Sequence, residues 1–234
     1  MTSRLAIFDL DGTLAATNEV DSDCFVEAVQ AEFGFAPGSD WSAYQHCTDE
    51  GIAVEALTGH LGETPTALQL NRLKRRFADL LASAAAAKPH LFAPVAGAPA
   101  LLRHLADSGW LLCIATGAWR VSAEIKLRTS GLPEAVPLFC SDGMPSREAI
   151  LNAAIAHGQA IAGTDVSRIV AVGDAVWDIA AAANLALPFL GVGRGARAAQ
   201  LREAGALAVV PDFLDLRETV RCLEILSPPL SRPR

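Results

Sequence analysis

Short apolar runs recur along this chain, and most of them end at a polar residue. Each run has the length of one β-strand and is continuous rather than alternating, which is typical of parallel strands covered on both faces. Segments with the apolar spacing of helices lie between the runs. Strands that alternate with helices predict an α/β fold with a doubly wound parallel sheet. The six predicted strands span residues 5–8, 111–115, 136–140, 169–172, 187–192 and 208–210.

One connection in this pattern is much longer than the others. The first and second strands are separated by a segment that contains three helical patterns, at 24–33, 52–61 and 68–87, and no convincing strand. We therefore expect residues 16–90 to form a small helical subdomain inserted into the α/β core, which takes residues 1–15 and 91–234. The remaining predicted helices belong to the core and span residues 98–108, 121–130, 147–157, 178–185 and 196–204.

The composition excludes several classes of protein. Hydrophobic residues make up 51% of the 234 residues and charged residues only 19%, so the chain has to bury a large apolar core and is not disordered. The net charge of −7 provides no basic field for a phosphate backbone, so no nucleic acid partner is expected. No membrane span is expected either, because the longest uncharged run, at 149–164, is too short and contains polar residues.

The five cysteines are widely spaced and odd in number, which suggests neither a disulfide framework nor a zinc site. The N-terminus lacks the apolar stretch of a signal peptide. Together these features predict a cytoplasmic protein. The sequence does not distinguish a monomer from a homodimer.

The polar residues at the strand ends carry the candidate chemistry. Ligands of an open α/β sheet bind beyond the carboxyl ends of its strands, so these residues are expected to meet in one crevice. Asp9 and Asp11 follow the first strand directly, and Gly12 allows the backbone to turn behind them. Taken alone, this Asp-x-Asp-Gly segment is equally typical of an ordinary turn.

Four such segments together resemble the haloacid dehalogenase superfamily, whose motifs occur here in the family's order along nearly the whole chain. The resemblance implies a Rossmann-like α/β core, with residues 16–90 as its helical cap. It departs from the family pattern at Arg147, where Lys followed by Pro is more common. The matching residues are Asp9 to Thr13, Thr116 with Gly117, Arg147, and Gly173 with Asp174 and Asp178.

The resemblance also implies a role for each residue. Asp9 would be the nucleophile that forms an aspartyl-phosphate, and Asp11 would protonate the leaving alkoxide and then activate water. Thr116, Gly117 and Arg147 would bind the phosphoryl oxygens, with Thr116 and Arg147 also assisting catalysis. Mg²⁺ would be held by the carboxylates of Asp9 and Asp174 and the backbone carbonyl of Asp11, and Asp178 would orient Asp174 or a metal-bound water.

Simpler interpretations of these residues remain open at this point. Asp174 could be a helix N-cap, Asp178 an acid in the first helical turn, and Arg147 a solvated arginine that follows the N-cap Ser146. The polar segment 41–50, with Asn18 near the hinge, could face the substrate or contact nothing. The basic run at 74–76 is most simply the solvated face of a cap helix.

The function predicted from these features is Mg²⁺-dependent hydrolysis of a small soluble phosphorylated metabolite. The second aspartate, Asp11, favours a phosphatase because dehalogenase relatives lack an acid at that position. A phosphomutase of the same superfamily and a non-catalytic binding module remain alternatives. A phosphonate hydrolase is less favoured, since it needs a cap lysine for a Schiff base and Lys74 lies within the basic run.

Overall fold

A computed structural model describes residues 3–163, 166 and 168–226. Strands and helices alternate along the chain after a long first connection. The strands are β1 (Arg4–Phe8), β2 (Trp110–Ala115), β3 (Leu138–Phe139), β4 (Arg168–Gly173), β5 (Phe189–Val192) and β6 (Ala208–Val210). The α-helices are α1 (Asn18–Phe33), α2 (Asp49–Leu61), α3 (Ala67–Ala87), α4 (Ala98–Asp107), α5 (Arg120–Thr129), α6 (Arg147–Ala162), α7 (Val176–Asn184), α8 (Gly195–Glu203) and α9 (Leu216–Leu226). Two 3₁₀ turns, Trp41–Ala43 and Pro89–Phe92, lie in the long connection.

The six strands form one parallel sheet in the order β3-β2-β1-β4-β5-β6. This is the doubly wound order, so the predicted fold class is confirmed. After β1 the chain adds β2 and β3 next to one edge of β1, and it then returns to add β4, β5 and β6 next to the other edge. The strand order therefore reverses at β1, which is the topological switch point. The carboxyl ends of β1 and β4 are therefore adjacent, and the backbone N–H of Asp9 donates to Val172 O at 2.9 Å.

Alternate side chains of β1 enter two apolar layers, one on each face of the sheet. Ala6 and Phe8 pack in a cluster that includes side chains of α4, α5 and α9. Leu5 and Ile7 pack in another, with side chains of α6 and α7. All four are buried, which explains why β1 reads as a continuous apolar run.

Helices α1, α2 and α3 share a separate apolar cluster, which lies outside the layers that cover the sheet. Phe25 of α1 and Phe77 of α3 are at its centre, with ring centroids 5.5 Å apart. Trp119, from the loop after β2, completes the cluster, and its ring centroid lies 5.9 Å from that of Phe25. A residue from the loop after β2 thus completes the apolar cluster shared by α1, α2 and α3. The boundary of a cap at residues 16–90 stays a prediction.

Three of the differences between the predicted and the observed elements have a clear physical reason. Helix α1 begins at Asn18 rather than at residue 24, because its first turns carry polar residues with no apolar periodicity. Strand β3 keeps only Leu138–Phe139, since Pro137 has no N–H to extend the ladder. Helix α9 was not among the predicted helices, although Leu216, Val220 and Leu223 have helical spacing and pack in the core.

Across the described ranges 3–163, 166 and 168–226, every helix is too short or too polar to cross a membrane. All five cysteines are free thiols.

Candidate active site

A cavity of about 610 Å³ lies between the carboxyl end of the sheet and helices α1 and α2. Six of the seven residues predicted from the motifs line it, whereas Asp178 lies behind them. Those six are Asp9, Asp11, Thr116, Gly117, Arg147 and Asp174. The topology thus brings together residues that are far apart in the sequence, as expected at the switch point of a doubly wound sheet.

The turn after β1 places Asp9 at the floor of this cavity. Gly12 has φ +76°, in the left-handed region that side chains rarely adopt. A Cβ atom at this position would overlap the carboxylate of Asp174 and the amide of Asn18, so the turn also needs a residue without a side chain. Thr13 Oγ1 lies 3.4 Å from Asp9 Oδ2 and 3.5 Å from Asp174 Oδ1 and can donate to either.

Asp9, Asp174 and Asp178 form a buried group of carboxylates, with one oxygen of each within 4.8 Å of the others. Burial raises the pKa of Asp9 to about 7, and the negative charge of Asp178 adds to the rise. Burial and the charge of Asp9 raise the pKa of Asp174 to about 7 as well. Three carboxylates this close repel one another, so the group favours positive charge beside it.

This group fits a magnesium ion. All its donors are carboxylate oxygens, which Mg²⁺ prefers, and Asp9 and Asp174 reach the cavity while Asp178 supports them from behind. Asp178 also accepts a hydrogen bond from the backbone N–H of Ala175 at 3.2 Å, at the start of α7. Its interpretation as an acid in the first helical turn is therefore compatible with a place in a metal site.

Arg147 is the first residue of α6 and extends into the carboxylate group. Ser146 caps the helix by accepting from the N–H of Ala149 at 3.2 Å, as its sequence context predicts. Arg147 Nη1 lies 2.5 Å from Asp178 Oδ1 and 3.2 Å from Asp9 Oδ1, and Nε donates to Cys47 O at 3.0 Å. The side chain is only 16% exposed, so the interpretation as a solvated arginine is wrong.

Asp11 lines the cavity and is held on both carboxylate oxygens. Thr17 Oγ1 donates to Oδ1 at 2.5 Å, and Lys126 Nζ donates to Oδ2 at 2.8 Å. Lys126, on α5, was not identified from the sequence, where it is one charged residue in a helix that carries several. Burial disfavours its ammonium form, but the carboxylates of Asp11, Asp21 and Asp49 outweigh this and raise its pKa.

The loop after β2 provides the opposite wall of the cavity. The backbone N–H of Thr116 donates to Phe139 O at 2.9 Å, and Thr116 Oγ1 accepts from the N–H of Ala118 at 3.1 Å. A Cβ atom on Gly117 would lie 2.9 Å from Arg147 Nη2 and 2.9 Å from Cys47 O. Glycine at this position therefore allows the guanidinium and the 47–49 segment to approach the loop closely.

Residues 47–49 rest on the core, so the interpretation that the polar segment contacts nothing is wrong. Thr48 Oγ1 donates to Pro145 O at 2.6 Å, and the N–H of Asp49 donates to Gly117 O at 2.8 Å. Both residues line the cavity. Asn18 also lines it and donates to Asp174 Oδ2 at 3.0 Å. The central residues 44–46 are not part of the cavity wall.

The structure gives two cationic side chains contacts that the sequence did not predict. Lys74 is not on a solvated face: its Nζ lies 2.8 Å from Glu50 Oε2 and 3.1 Å from Asp142 Oδ1, and its side chain is only 18% exposed. It connects α2 to the core through these two ion pairs. A lysine that forms a Schiff base with the substrate would line the cavity, and Lys74 does not. Arg197 of α8 was not predicted as a site residue, yet it lines the cavity and forms an ion pair with Asp174.

Comparisons with known proteins identify a family and several relatives of this chain. A family model for haloacid dehalogenase-like hydrolases matches residues 6–183. The chain is 31% identical over 224 residues to the phosphoglycolate phosphatase of Agrobacterium fabrum, and the match covers 92% of this chain and 93% of that protein.

The fold is likewise similar to solved structures. A hydrolase from Pseudomonas syringae has a TM-score of 0.72 and 26% identity, with 94% of this chain and 98% of that chain covered. CbbY from Rhodobacter sphaeroides, solved in complex with phosphate, has a TM-score of 0.63 at 20% identity, with coverages of 92% and 96%, and shows likeness of fold alone. The chain therefore belongs to the haloacid dehalogenase-like hydrolases and is an enzyme of their phosphatase type.

Proposed function

We propose that this enzyme hydrolyses phosphomonoesters of small metabolites with Mg²⁺, through an aspartyl-phosphate at Asp9. The observation that carries the proposal is the contact of Asp9 with Arg147 at the floor of the cavity, beside Asp174 and with Asp11 two residues on. A nucleophilic carboxylate, a fixed positive charge, metal-ligating oxygens and a second acid are the groups that stepwise phosphoryl transfer needs.

In the first step a carboxylate oxygen of Asp9 attacks phosphorus and the bond from phosphorus to the alcohol oxygen breaks. Asp11 gives its proton to the leaving alkoxide. The guanidinium of Arg147, the hydroxyl of Thr116 and the backbone N–H of Gly117 bind the phosphoryl oxygens as their charge redistributes. The products of this step are the free alcohol and the aspartyl-phosphate.

In the second step Asp11, now ionised, takes a proton from water, and the oxygen of that water attacks the phosphorus of the aspartyl-phosphate. The bond from phosphorus to Asp9 breaks, which releases inorganic phosphate and restores the carboxylate. One residue thus serves first as acid and then as base. Helices α1 and α2 cover the cavity and limit access of bulk water.

Asp9 and Asp174 are the side chains that would hold Mg²⁺, with the backbone carbonyl of Asp11 as a further oxygen donor and Asp178 supporting them from behind. When bound, the ion neutralises charge on the carboxylates and the phosphate. The raised pKa values of Asp9 and Asp174 support this assignment. A nucleophilic Asp9 has to be ionised at neutral pH, and a bound cation favours the ionised form of both carboxyl groups.

The wall around the alcohol portion of the substrate comes from α1, the 41–49 segment and α7. The volume of the cavity suits a small metabolite. Phosphoglycolate is a natural first candidate, since a 31% identical relative carries the name phosphoglycolate phosphatase. The wall combines aromatic and acidic side chains, including Phe25, Trp41, Trp177, Glu19 and Asp23, so alcohols without a second anionic group also belong in the test.

The test is release of inorganic phosphate with Mg²⁺ from phosphoglycolate and a panel of sugar, nucleotide and amino-alcohol phosphates. We expect turnover of at least one member and none by Asp9→Asn. Asp107→Asn removes an exposed carboxylate at the end of α4 and should leave turnover unchanged. No release from any ester, or turnover by Asp9→Asn, would contradict the proposal, and transfer of phosphate between sugars without release would indicate a phosphomutase instead.

A further inference from the structure

Lys126 is a fully buried cation that faces three carboxylates and does not line the cavity. Its side chain is 0% exposed, and its Nζ lies 2.8 Å from Asp11 Oδ2. Asp21 of α1 forms a second ion pair with it. The charge of Asp49, at the start of α2, acts on it as well. One ammonium of the core thus faces carboxylates from the catalytic turn and from both helices that cover the cavity.

Packing alone does not explain why an ammonium fills this space. Removing an ammonium from water is costly, and an apolar side chain of similar volume often stabilises a core equally well or better. Helix α5 already has apolar contacts to the core through Ala123 and Leu127. A buried lysine at position 126 therefore needs a reason beyond packing, and its contact with Asp11 supplies one.

The contacts of Lys126 and Thr17 fix the Asp11 carboxyl group. Each donates to a different oxygen of Asp11, so the group cannot rotate without breaking one of the bonds. Each oxygen keeps a second lone pair, which leaves room for the proton that the proposed mechanism requires. The ion pair with Asp21 restrains the ammonium itself.

Asp49 links this network to the place where α2 rests on the core. Its carboxylate accepts from the N–H of Trp119 at 2.8 Å, at the start of the helix that carries Lys126. Its own N–H donates to Gly117 O in the loop that faces the phosphate. When α2 rests on the core, a third negative charge is therefore placed near Lys126.

We propose that Lys126 is a positioning residue that holds the Asp11 carboxyl group in place for proton transfer while the helices α1 and α2 are closed over the cavity. This inference rests on the function proposed above. It assigns Lys126 no contact with the substrate. Its effect should appear only in steps that use Asp11.

Comparing two leaving groups distinguishes a positioning role of Lys126 from a purely structural one. An alkoxide needs the proton of Asp11 as the phosphorus–oxygen bond breaks, whereas 4-nitrophenolate is a stable anion and leaves without one. The ratio kcat/KM covers binding and the steps up to release of the alcohol, so it includes this proton transfer and leaves out hydrolysis of the aspartyl-phosphate. The comparison uses 4-nitrophenyl phosphate and the alkyl phosphate of the panel that the wild-type enzyme turns over fastest.

For Lys126→Met we expect kcat/KM for the alkyl ester to fall roughly 100-fold, in the range of general acid catalysis, and that for the aryl ester to change little. Asp11→Asn should show the same pattern, and the double variant should lose no more than Asp11→Asn alone. Lys74→Met is the matched control, because it removes another cation between α2 and the core that does not touch Asp11. It should keep the wild-type ratio between the two esters.

Circular dichroism checks that each variant is folded. If Lys126→Met is not, Lys126→Met combined with Asp49→Asn removes one carboxylate with the ammonium, and the same ratio is measured there. A folded variant that loses kcat/KM equally for both esters, or for neither, overturns the inference. A wild-type enzyme that hydrolyses neither ester nor any panel member overturns the proposed function instead.

Discussion

The Nη1 atom of Arg147 lies 3.2 Å from the Oδ1 atom of Asp9, so a fixed positive charge adjoins the proposed nucleophile. Arg147→Met removes this charge from the site that would bind the phosphoryl oxygens. We expect kcat/KM for phosphate esters to fall by roughly 10²- to 10³-fold, the loss typical of one preorganised donor at a developing charge. Steady-state kinetics on the best substrate measures it.

Two further arginine variants separate charge from geometry. Arg147→Lys keeps the charge, but one ammonium cannot replace Nε and Nη1 together, so it should recover only part of the loss. Arg120→Met removes an exposed arginine whose guanidinium donates to Leu138 O, outside the cavity, and should leave kcat/KM unchanged. Equal losses in Arg147→Met and Arg120→Met would contradict a specific role for Arg147.

Mg²⁺ should stabilise the fold more at pH 7.5 than at pH 5. The pKa values of Asp9 and Asp174 are raised by burial to about 7 in the metal-free protein, against 3.8 for an ordinary aspartate. Between these values the folded state holds more protons than the unfolded chain, so the free energy of unfolding of the metal-free protein falls as pH rises. Mg²⁺ binds the ionised carboxylates, so its stabilising effect grows over the same range.

Thermal unfolding with and without Mg²⁺ measures this effect. At pH 7.5 and a concentration 100 times Kd, the ion should add about 2.7 kcal/mol. For a chain of this size that corresponds to a rise in Tm of roughly 5–10 °C. Asp174→Asn should reduce the rise and increase the Mg²⁺ concentration needed for turnover. An equal rise at both pH values would contradict the prediction.

The architecture could be predicted from the sequence because parallel strands in a doubly wound sheet are buried on both faces. The burial of both Phe8 and Ile7 makes β1 a continuous apolar run, and the polar residue that ends it marks the carboxyl edge. Asp9, Thr116 and Asp174 could be placed together on this basis alone. The prediction that Arg147 joins them also required the order of the motifs, because a position at the start of a helix does not reveal whether a side chain is buried.

The residues that were missed act across elements that are distant in the sequence. Lys126 and Lys74 both stand in helices with other charged residues, and only the packing of α1 to α3 on the core shows that they are shielded from water. The role of a lysine depends on the position of its ammonium group in the folded protein, and helical spacing in the sequence does not give that position.

Thr48→Val should weaken both α2 and its contact with the core. Thr48 is the N-cap of α2: its Oγ1 accepts from the N–H of Gly51 at 3.0 Å and donates to Pro145 O at 2.6 Å. Valine preserves the shape and removes both bonds. We expect the free energy of unfolding to fall by about 1–2 kcal/mol, and KM to rise because Thr48 lines the cavity.

Thr66→Val is the matched control for this change. Thr66 caps α3 in the same way, accepting from the N–H of Gln69 at 3.3 Å, but it is exposed and makes no bond to the core. Chemical denaturation should show a loss of up to about 1 kcal/mol, while KM stays at the wild-type value. A rise in KM for both variants would mean that KM follows helix stability rather than the contact with Pro145.

Gly12→Ala should impair both the fold and the chemistry, and Gly34→Ala distinguishes the reasons. Both glycines have left-handed backbones, with φ +76° and +78°. A Cβ atom on Gly34 meets nothing within 4 Å, whereas one on Gly12 overlaps the carboxylate of Asp174 and the amide of Asn18. Gly34→Ala should therefore cost only the backbone strain, about 1 kcal/mol of unfolding free energy.

Gly12→Ala should lose more stability than that, because the clash adds to the same strain. It should also lose most of its turnover and its response to Mg²⁺, since Asp174 has to move away from Asp9 to make room. Denaturation curves, phosphate release and the Mg²⁺-induced rise in Tm measure these three effects on the two variants side by side. Equal losses of stability in both, with turnover and the response to Mg²⁺ retained in Gly12→Ala, would show that the turn after β1 does not hold Asp174 in place.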